Sequence, residues 1–242
     1  NLNRTLTDLD GNRSNVTVKE SSITRLGWHA SATFTPFEGF RLGASYRSEI
    51  IMDPSSGKAT FSNVPNSPMT PFEDTPFRAE MPLPAELIVG FGYEFGDWTL
   101  AFDYNRAFWS AYKSLDIEFA NPNIPNSVNP RNYKNASSYK FGAQYMLKEG
   151  IALRAGYYFD ETPVQKGYFA PETPRGDSHN FTIGAGFDLG EHFRVDAAFM
   201  YIHFKEIDAS YDWYAEGDGY APFSGKYKTM GLVPSIGISY RL

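Results

Sequence analysis

The feature that most constrains the fold is a strict period of two in hydrophobicity over residues 178–204. Every second residue from Phe181 to Leu189 is apolar, whereas the residues between them are small or polar. After a short corner at Gly190 the alternation resumes with Phe193 and continues to Tyr201. A period of two is that of a β-strand whose two faces meet different surroundings. Two such runs around a tight turn therefore predict an antiparallel hairpin.

The same unit recurs along the chain and predicts nine strands. The predicted strands are 23–36, 40–52, 82–95, 98–119, 133–147, 151–160, the two strands of the hairpin, and 223–242. Residues 1–22 are predicted to be a loop or a weak strand, and the remaining long segments to be polar loops, namely 53–80, 120–132, 161–177 and 205–222. Short turns follow the odd-numbered strands and long loops follow the even-numbered ones. That asymmetry is typical of an up-and-down transmembrane barrel, so the predicted fold class is an all-β, antiparallel up-and-down transmembrane β-barrel.

The placement of aromatic and charged residues predicts which face meets lipid. Aromatic residues make up 17% of the chain and fall mostly on the apolar face of each strand, whereas Arg, Lys, Asp and Glu fall on the other face. A basic side chain facing lipid costs about 2–4 kcal/mol at the bilayer midplane. We therefore expect the aromatic face to point outward and the charged face to line the lumen of a barrel in the outer membrane of a bacterial cell. No stretch approaches the roughly 18 consecutive apolar residues of a membrane helix.

Charge and residue usage exclude several classes of function. The net charge of −6 and the lack of a basic stripe argue against a nucleic-acid partner. Cysteine is absent, which rules out disulfides and cysteine-based zinc sites. The four histidines do not show an HExxH spacing, and His179 beside Asp177 is more typical of a solvated loop than of a metal ligand. No GxSxG motif is present. The sequence thus predicts neither an enzyme, nor a metal site, nor a cofactor.

The number of strands predicts that the barrel extends beyond this chain. If the short turns are periplasmic, the first of nine strands begins outside the cell. Bacterial single-chain barrels have an even number of strands. We therefore expect residues 1–242 to be the C-terminal portion of a single barrel domain, with N-terminal strands and a plug absent.

Four segments resemble one known family, the FadL/TodX outer-membrane transporters of long-chain fatty acids and hydrophobic compounds. The segments are LGWHASATFTPFEGFRLGASYRSEI (26–50), LPAELIVGFGYEFGDWTLAFDYNRAFWSAY (83–112), YKFGAQYMLKEGIALRAGYYFDETPV (139–164) and GDSHNFTIGAGFDLGEHFRVDAAFMY (176–201). Their order and spacing hold over 26–242, although none of them is a diagnostic motif alone.

The resemblance implies a fourteen-stranded barrel plugged by an N-terminal hatch, of which this chain would supply the last nine strands. It also implies passive diffusion of long-chain fatty acids or other hydrophobic small molecules across the outer membrane. The partners would be membrane lipid and a hydrophobic small-molecule ligand. An alternative is a FadL-like barrel that acts as a structural or docking subunit of an outer-membrane protein assembly, such as secretion machinery, with outer-membrane proteins as partners.

Two sets of residues are candidates for ligand contact. The first is a set of lumen-facing charged residues whose basic members could bind a ligand carboxylate: Arg47, Glu86, Asp103, Arg154, Asp160 and Arg194. The same residues are also consistent with cross-strand ion pairs that only fill the lumen. The second is a set of aromatic residues in long polar loops that could line an external capture groove: Phe77, Phe108, Trp109 and Trp213. They are equally consistent with packing between loops.

Overall fold

The computed structural model describes residues 2–7, 13–20, 23–54, 57–64, 72–170, 175–212 and 223–240. The chain divides into two compact units, and each is described by itself. Unit 1 comprises Asn1–Gly27, Glu49–Pro84 and Ala111–Asn132, and unit 2 comprises Trp28–Ser48, Ala85–Ser110 and Tyr133–Leu242.

The described residues form eighteen strands and one 3-10 turn at Trp109–Ala111. The strands in chain order are β1 (Leu2–Thr7), β2 (Arg13–Lys19), β3 (His29–Phe37), β4 (Phe40–Arg47), β5 (Ile50–Met52), β6 (Gly57–Ser62), β7 (Thr75–Ala79), β8 (Met81–Leu83), β9 (Glu86–Phe95), β10 (Trp98–Ala107), β11 (Ile117–Phe119), β12 (Ala136–Lys148), β13 (Ile151–Asp160), β14 (Ser178–Leu189), β15 (Phe193–Phe204), β16 (Ile207–Tyr211), β17 (Phe223–Tyr227) and β18 (Met230–Tyr240). Among these residues, no helix has the length and apolar character needed to span a membrane.

Unit 2 is built on a nine-stranded antiparallel sheet with the order β18-β15-β14-β13-β12-β10-β9-β4-β3. Each strand pairs with the next wall strand along the chain, so the sheet is a continuous up-and-down meander. Strands β3 and β18 lie at its two edges, and among the described residues they do not pair with each other. The meander of nine strands is the one that the period-two pattern predicts.

The two faces of this sheet differ as predicted. On the apolar face, side chains such as Phe141, Phe181 and Ile183 are 54%, 51% and 64% exposed. A row of rings crosses the middle of this face, with centroids 5.8 Å apart for Phe91–Phe102 and 4.7 Å apart for Phe102–Phe141. Cross-strand aromatic pairs of this kind stabilise a sheet by packing beyond the area that they bury. The opposite, polar face carries glycine, alanine, serine, threonine and the charged side chains.

Two further rows of rings lie near the ends of the strands. Trp98 packs on Tyr145 at the end with the short turns, and Tyr104 packs on Tyr139 at the end with the long connections. Six residues of β10 separate the two rows, which corresponds to about 20 Å along the strand. Tyr and Trp are commonly enriched near the two membrane–water interfaces of a barrel, and these two ring pairs bound the central part of the apolar face.

The four short turns of the sheet share a glycine in the left-handed region. Gly39, Gly96, Gly150 and Gly190 have φ of 79°, 53°, 76° and 73°. A Cβ at Gly39 would also lie 2.3 Å from the carbonyl oxygen of Glu94. Tight hairpin turns need this backbone conformation, which L-residues with a Cβ adopt at a cost.

Several predicted strand boundaries differ from the observed ones; the second strand, for example, ends at Arg47 rather than at 52, and the third begins at Glu86 rather than at 82. The first strand begins at His29 rather than at 23. The fourth ends at Ala107, because the chain enters the 3-10 turn and the Ser110 amide donates to Asn135 Oδ1. The ninth consists of two strands, β17 and β18, separated by two residues, and β17 pairs with β16 instead of with the wall.

The predicted loops 161–177 and 205–222 contain ordered structure in their described parts. Strands β16 and β17 form a two-stranded sheet, and a bridge between Tyr168 and Tyr211 joins the first loop to it. The Phe169 amide donates to the Ser210 carbonyl, at a nitrogen–oxygen distance of 3.1 Å. The Phe169 ring is 1% exposed and lies 4.6 Å from the ring of Tyr227 in β17, so the first loop packs against the sheet of β16 and β17.

Unit 1 contains a five-stranded antiparallel sheet of order β1-β2-β6-β7-β11 and a two-stranded sheet of β5 and β8. Its core is formed by Val18, Ala59 and Phe77. Residues 1–22 were predicted to be a loop or a weak strand, and their described part contains the paired strands β1 and β2. The predictions that 53–80 is a loop and that one strand runs over 98–119 were wrong. These strands are short, and several of them pair with a segment far away in the chain, as β2 does with β6 and β7 with β11.

One surface ion pair supports the same sheet. Asp74 accepts from Lys58 Nζ at 2.8 Å and from the Phe61 amide at 3.3 Å. The hydrogen bond from Lys58 is the main cause that lowers the pKa of the Asp74 carboxyl below its usual value.

Candidate functional site

A cavity of about 530 Å³ lies on the nine-stranded sheet of unit 2. The polar-face residues of six strands, from β10 to β18, contribute to its lining. Most of these residues are small, as with Ala101, Gly142, Gly156, Gly184 and Gly237. The period-two pattern places glycine and alanine on this face, and their lack of bulk leaves the space open.

Three charged side chains line the cavity: Lys140, Arg154 and Asp196. Arg154 Nη1 lies 2.6 Å from Asp196 Oδ1, and Arg154 Nε donates to Gln144 Oε1 at 2.8 Å. The guanidinium of Arg154 therefore already has a carboxylate and an amide oxygen as acceptors.

The ion pair at Arg154 continues into a network towards the short turns. Arg194 Nε lies 3.1 Å from Asp196 Oδ2, and Arg194 Nη1 lies 2.8 Å from Asp188 Oδ1. The network passes over Gly186, where an added Cβ would lie 2.3 Å from Arg194 Nη2 and 2.4 Å from Asp196 Oδ1. Glycine at this position leaves room for side chains from three strands to meet above the sheet.

Three further charged candidates on this face, Arg47, Glu86 and Asp160, are also paired. Arg47 lies directly opposite Glu86, with 3.3 Å between Nη2 and Oε2, and Asn105 donates to the same carboxylate at 2.6 Å. Asp160 accepts from Ser138 Oγ and forms an ion pair with Arg175. The structure thus brings Arg154 and Arg194 together, and it places Arg47–Glu86 and Asp160 in separate pairs.

Asp103 has a different environment. Its carboxylate lies over Gly90, where a Cβ would be 2.1 Å from Asp103 Oδ1. Lys140 is its direct cross-strand neighbour. Among the described residues, neither side chain has a hydrogen bond or an ion pair with another side chain.

Lys140 is the residue that sequence reasoning missed. Of the two cationic side chains that line the cavity, Arg154 is paired with Asp196, whereas Lys140 is without a carboxylate partner in the described part of the chain. The alternation in β12 places Lys140 on the polar face, but the sequence alone did not separate a paired cation from an unpaired one. That distinction requires the register and the distances.

The four aromatic candidates for an external groove lie in different environments. Phe77 is 6% exposed and belongs to the core of unit 1. Phe108 and Trp109 belong to unit 2, where the Trp109 ring lies 5.9 Å from the Tyr133 ring. Trp213 lies outside the described residues. A groove formed by all four stays a prediction.

Comparisons with known proteins agree with this architecture. The sequence model of the family described as "Outer membrane protein transport protein (OMPP1/FadL/TodX)" matches residues 4–242. Outer membrane protein P1 of Haemophilus influenzae is 24% identical over 208 residues, which are 81% of this chain and 42% of that protein. The long-chain fatty acid transport protein of Escherichia coli O6:H1 is 21% identical over 209 residues, which are 82% of this chain and 45% of that protein.

Solved structures show the same fold. The crystal structure of a Pseudomonas aeruginosa FadL homologue matches with a TM-score of 0.79 at 20% identity, over 95% of this chain and 55% of that chain. The toluene transporter TodX of Pseudomonas putida matches with a TM-score of 0.59 at 18% identity, over 95% of this chain and 53% of that chain. The chain thus spans about half the length of the relatives that it matches.

These findings confirm the predicted fold class, an antiparallel up-and-down transmembrane β-barrel, and the predicted location. The apolar face of the sheet is therefore its lipid-facing side, and the polar face with the cavity is its inner side. The match over 4–242 shows that the chain belongs to the outer membrane protein transport protein family (OMPP1/FadL/TodX) of Gram-negative bacteria.

Proposed function

We propose that the protein admits long-chain fatty acids, or hydrophobic molecules of similar size, across the outer membrane by passive diffusion through the barrel interior. The observation that carries this proposal is the cavity of about 530 Å³ on the inner face, with Lys140 as its one cation without a carboxylate partner among the described residues. Pockets of 300–1,000 Å³ are the size of small-molecule sites.

The lining of the cavity suits an amphipathic ligand. Glycine, alanine and threonine backbones and short side chains offer a smooth surface along which an acyl chain could lie. At one side, the Lys140 ammonium would hold the carboxylate through a charge-assisted hydrogen bond. Arg154 and Asp196 would remain paired with each other, which keeps the wall rigid without attracting the ligand strongly.

The names of the relatives support the same class of ligand. One is a long-chain fatty acid transport protein and another is a toluene transporter. A fatty acid carries a carboxylate, whereas toluene does not. A dependence of transport on Lys140 would therefore distinguish a fatty-acid channel from a channel for neutral hydrocarbons.

We further propose that additional strands complete the barrel around this sheet. The edge strands β3 and β18 are unpaired with each other in the described residues, and an open edge in lipid leaves backbone N–H and C=O groups without partners. The predicted arrangement, in which this chain is the C-terminal portion of a fourteen-stranded barrel, would satisfy both edges.

The test is uptake of radiolabelled oleate by cells that produce the intact protein with Lys140→Met or Lys140→Arg. Lys140→Met removes one charge-assisted hydrogen bond to the oleate carboxylate. We expect this loss to weaken oleate binding about tenfold, or about 1.4 kcal/mol, and to reduce oleate uptake accordingly. Arginine keeps the charge, so Lys140→Arg should retain binding within a few-fold. Uptake should persist after a protonophore collapses the proton gradient, because passive diffusion needs no energy source.

Lys148→Met is the matched control, since Lys148 lies on the same strand but is exposed beside a short turn. Uptake of toluene should be unchanged in all three variants. If Lys140→Met takes up oleate as the unchanged protein does, the proposed role of Lys140 is wrong. If the unchanged protein takes up neither compound and co-purifies with another outer-membrane protein, the docking alternative is favoured.

A further inference from the structure

A row of three potential metal-binding side chains crosses strands β14, β15 and β18 on the lipid-facing side. His179 lies directly opposite His203, and His203 lies directly opposite Met230. Directly opposed residues of antiparallel strands have Cβ atoms about 4.5–5.5 Å apart. All three side chains are exposed, and Met230 is 65% exposed. Two imidazoles and one thioether therefore stand side by side on one surface.

Hydrogen bonds orient the two imidazoles. The Tyr157 hydroxyl lies 2.8 Å from His179 Nδ1, and the Tyr201 hydroxyl lies 3.5 Å from His203 Nδ1. When Nδ1–H donates to a hydroxyl oxygen, the tautomer leaves the Nε2 lone pair available, and metal-binding histidines are commonly held in this way. Neither Nε2 atom has a hydrogen-bond partner among the described residues.

The position of the row in the wall admits water. His179 is the second residue of β14, His203 is the last but one of β15, and Met230 is the first of β18, so all three stand where wall strands meet the long connections. Because strand ends lie towards the membrane–water interface, an ion at His179 and His203 could keep water molecules as its remaining ligands.

We propose that His179, His203 and Met230 form a copper-binding site on the outer rim of the barrel. Imidazole binds Cu, Zn and Ni, whereas a thioether is a soft ligand that favours Cu⁺. Carboxylates, which would favour harder ions, are lacking in this row. In the described residues, His, Asp and Glu side chains alone do not form a cluster of three that could hold a metal, so the thioether is what completes the set.

The test is a Cu⁺ titration of the intact protein, purified in detergent without a histidine tag, against a chromophoric Cu⁺ chelator under reducing conditions. One Cu⁺ per chain is expected. His179→Ala and His203→Ala should each weaken Cu⁺ binding at least about tenfold, since even loss of an outer hydrogen bond to a ligand costs 10–100-fold. Tyr157→Phe should weaken it by up to about tenfold through that outer hydrogen bond.

Met230→Leu separates the thioether from the imidazoles. It should weaken Cu⁺ binding and leave Zn²⁺ binding nearly unchanged, because Zn²⁺ prefers nitrogen and oxygen ligands over a thioether. In the Cu²⁺-loaded protein, electron paramagnetic resonance should show two coordinated nitrogens, and one in either histidine variant.

His29→Gln is the matched control, because His29 lies on β3 and is hydrogen-bonded to Ser45 Oγ instead. It should leave copper binding unchanged. The urea midpoint of each variant reports whether it folds, and the three exposed positions should tolerate substitution. Absence of stoichiometric Cu⁺ binding, or equal binding in the unchanged protein and both histidine variants, would overturn the proposal.

Discussion

At the scale of single residues, most charged candidates on the inner face lie in ion pairs and so do not act as isolated charges. Asp196 accepts from both Arg154 and Arg194, and the Arg194 side chain is only 16% exposed. Asp196→Asn should lower the free energy of unfolding by more than the loss of a single exposed ion pair does, because two guanidinium groups lose a shared carboxylate at a site that is still partly open to water. Urea unfolding of the intact protein in lipid vesicles measures this change.

Glu94→Gln is the control for that substitution, since it makes the same chemical change on the same face. Glu94 lies 3.4 Å from Arg41, and both side chains are more than half exposed. An exposed pair of this kind contributes less than about 1 kcal/mol. Equal losses of unfolding free energy in the two variants would show that the Asp196 network contributes no more to stability than the exposed Arg41–Glu94 pair.

At the scale of elements, the wall strands could be predicted from the sequence and the loop strands could not. In a wall strand such as β14, apolar residues like Phe181 and Phe187 alternate with small or polar ones over ten or more positions. Lipid on one side of the strand makes this alternation strict. Strand β7 has five residues, and its Phe77 becomes a core residue only through pairing with distant β6 and β11. Parity placed Arg154 and Arg194 on the inner face, but their meeting above Gly186 depends on register.

Substitution of Phe169 tests whether the long connections of unit 2 are held together by their own packing. Its ring is 1% exposed against Tyr227, and truncating a buried Phe to Ala costs about 3–5 kcal/mol where the site cannot collapse. Because the ring joins two connections and lies outside the wall strands, Phe169→Ala should open the loops without unfolding the wall. Faster proteolysis within 161–170, with an unchanged urea midpoint of the whole protein, is the expected result.

Tyr168→Ala is the matched control for that experiment. Tyr168 joins β16 through a bridge of its backbone with Tyr211, which the substitution leaves in place. Its cleavage rate should stay close to that of the unchanged protein. If Phe169→Ala and Tyr168→Ala are cleaved equally fast, the Phe169 contact does not hold the loops together.

At the scale of the whole molecule, stability depends on which solvent each face of the sheet meets. Ala197 and Ala198 are adjacent, both exposed, and near the middle of β15, but they point to opposite faces. Ala198 is opposite Gly184 on the cavity side, whereas Ala197 is opposite Ala185 and Ile236 on the lipid side. Ala197→Arg should destabilise the barrel by about 2–4 kcal/mol, the cost of a basic side chain near the bilayer midplane.

Ala198→Arg introduces the same side chain one residue away and should cost far less, because the inner face already holds guanidinium groups such as Arg154 and admits water. Equilibrium unfolding in lipid vesicles measures both values, and the difference between them cancels the intrinsic cost of replacing alanine by arginine in a strand. In detergent micelles the difference should shrink, since a thinner and softer apolar layer lets the Ala197→Arg side chain reach water. Equal destabilisation of the two variants in vesicles would mean that the two faces meet similar surroundings, which contradicts a lipid-facing side and an aqueous interior.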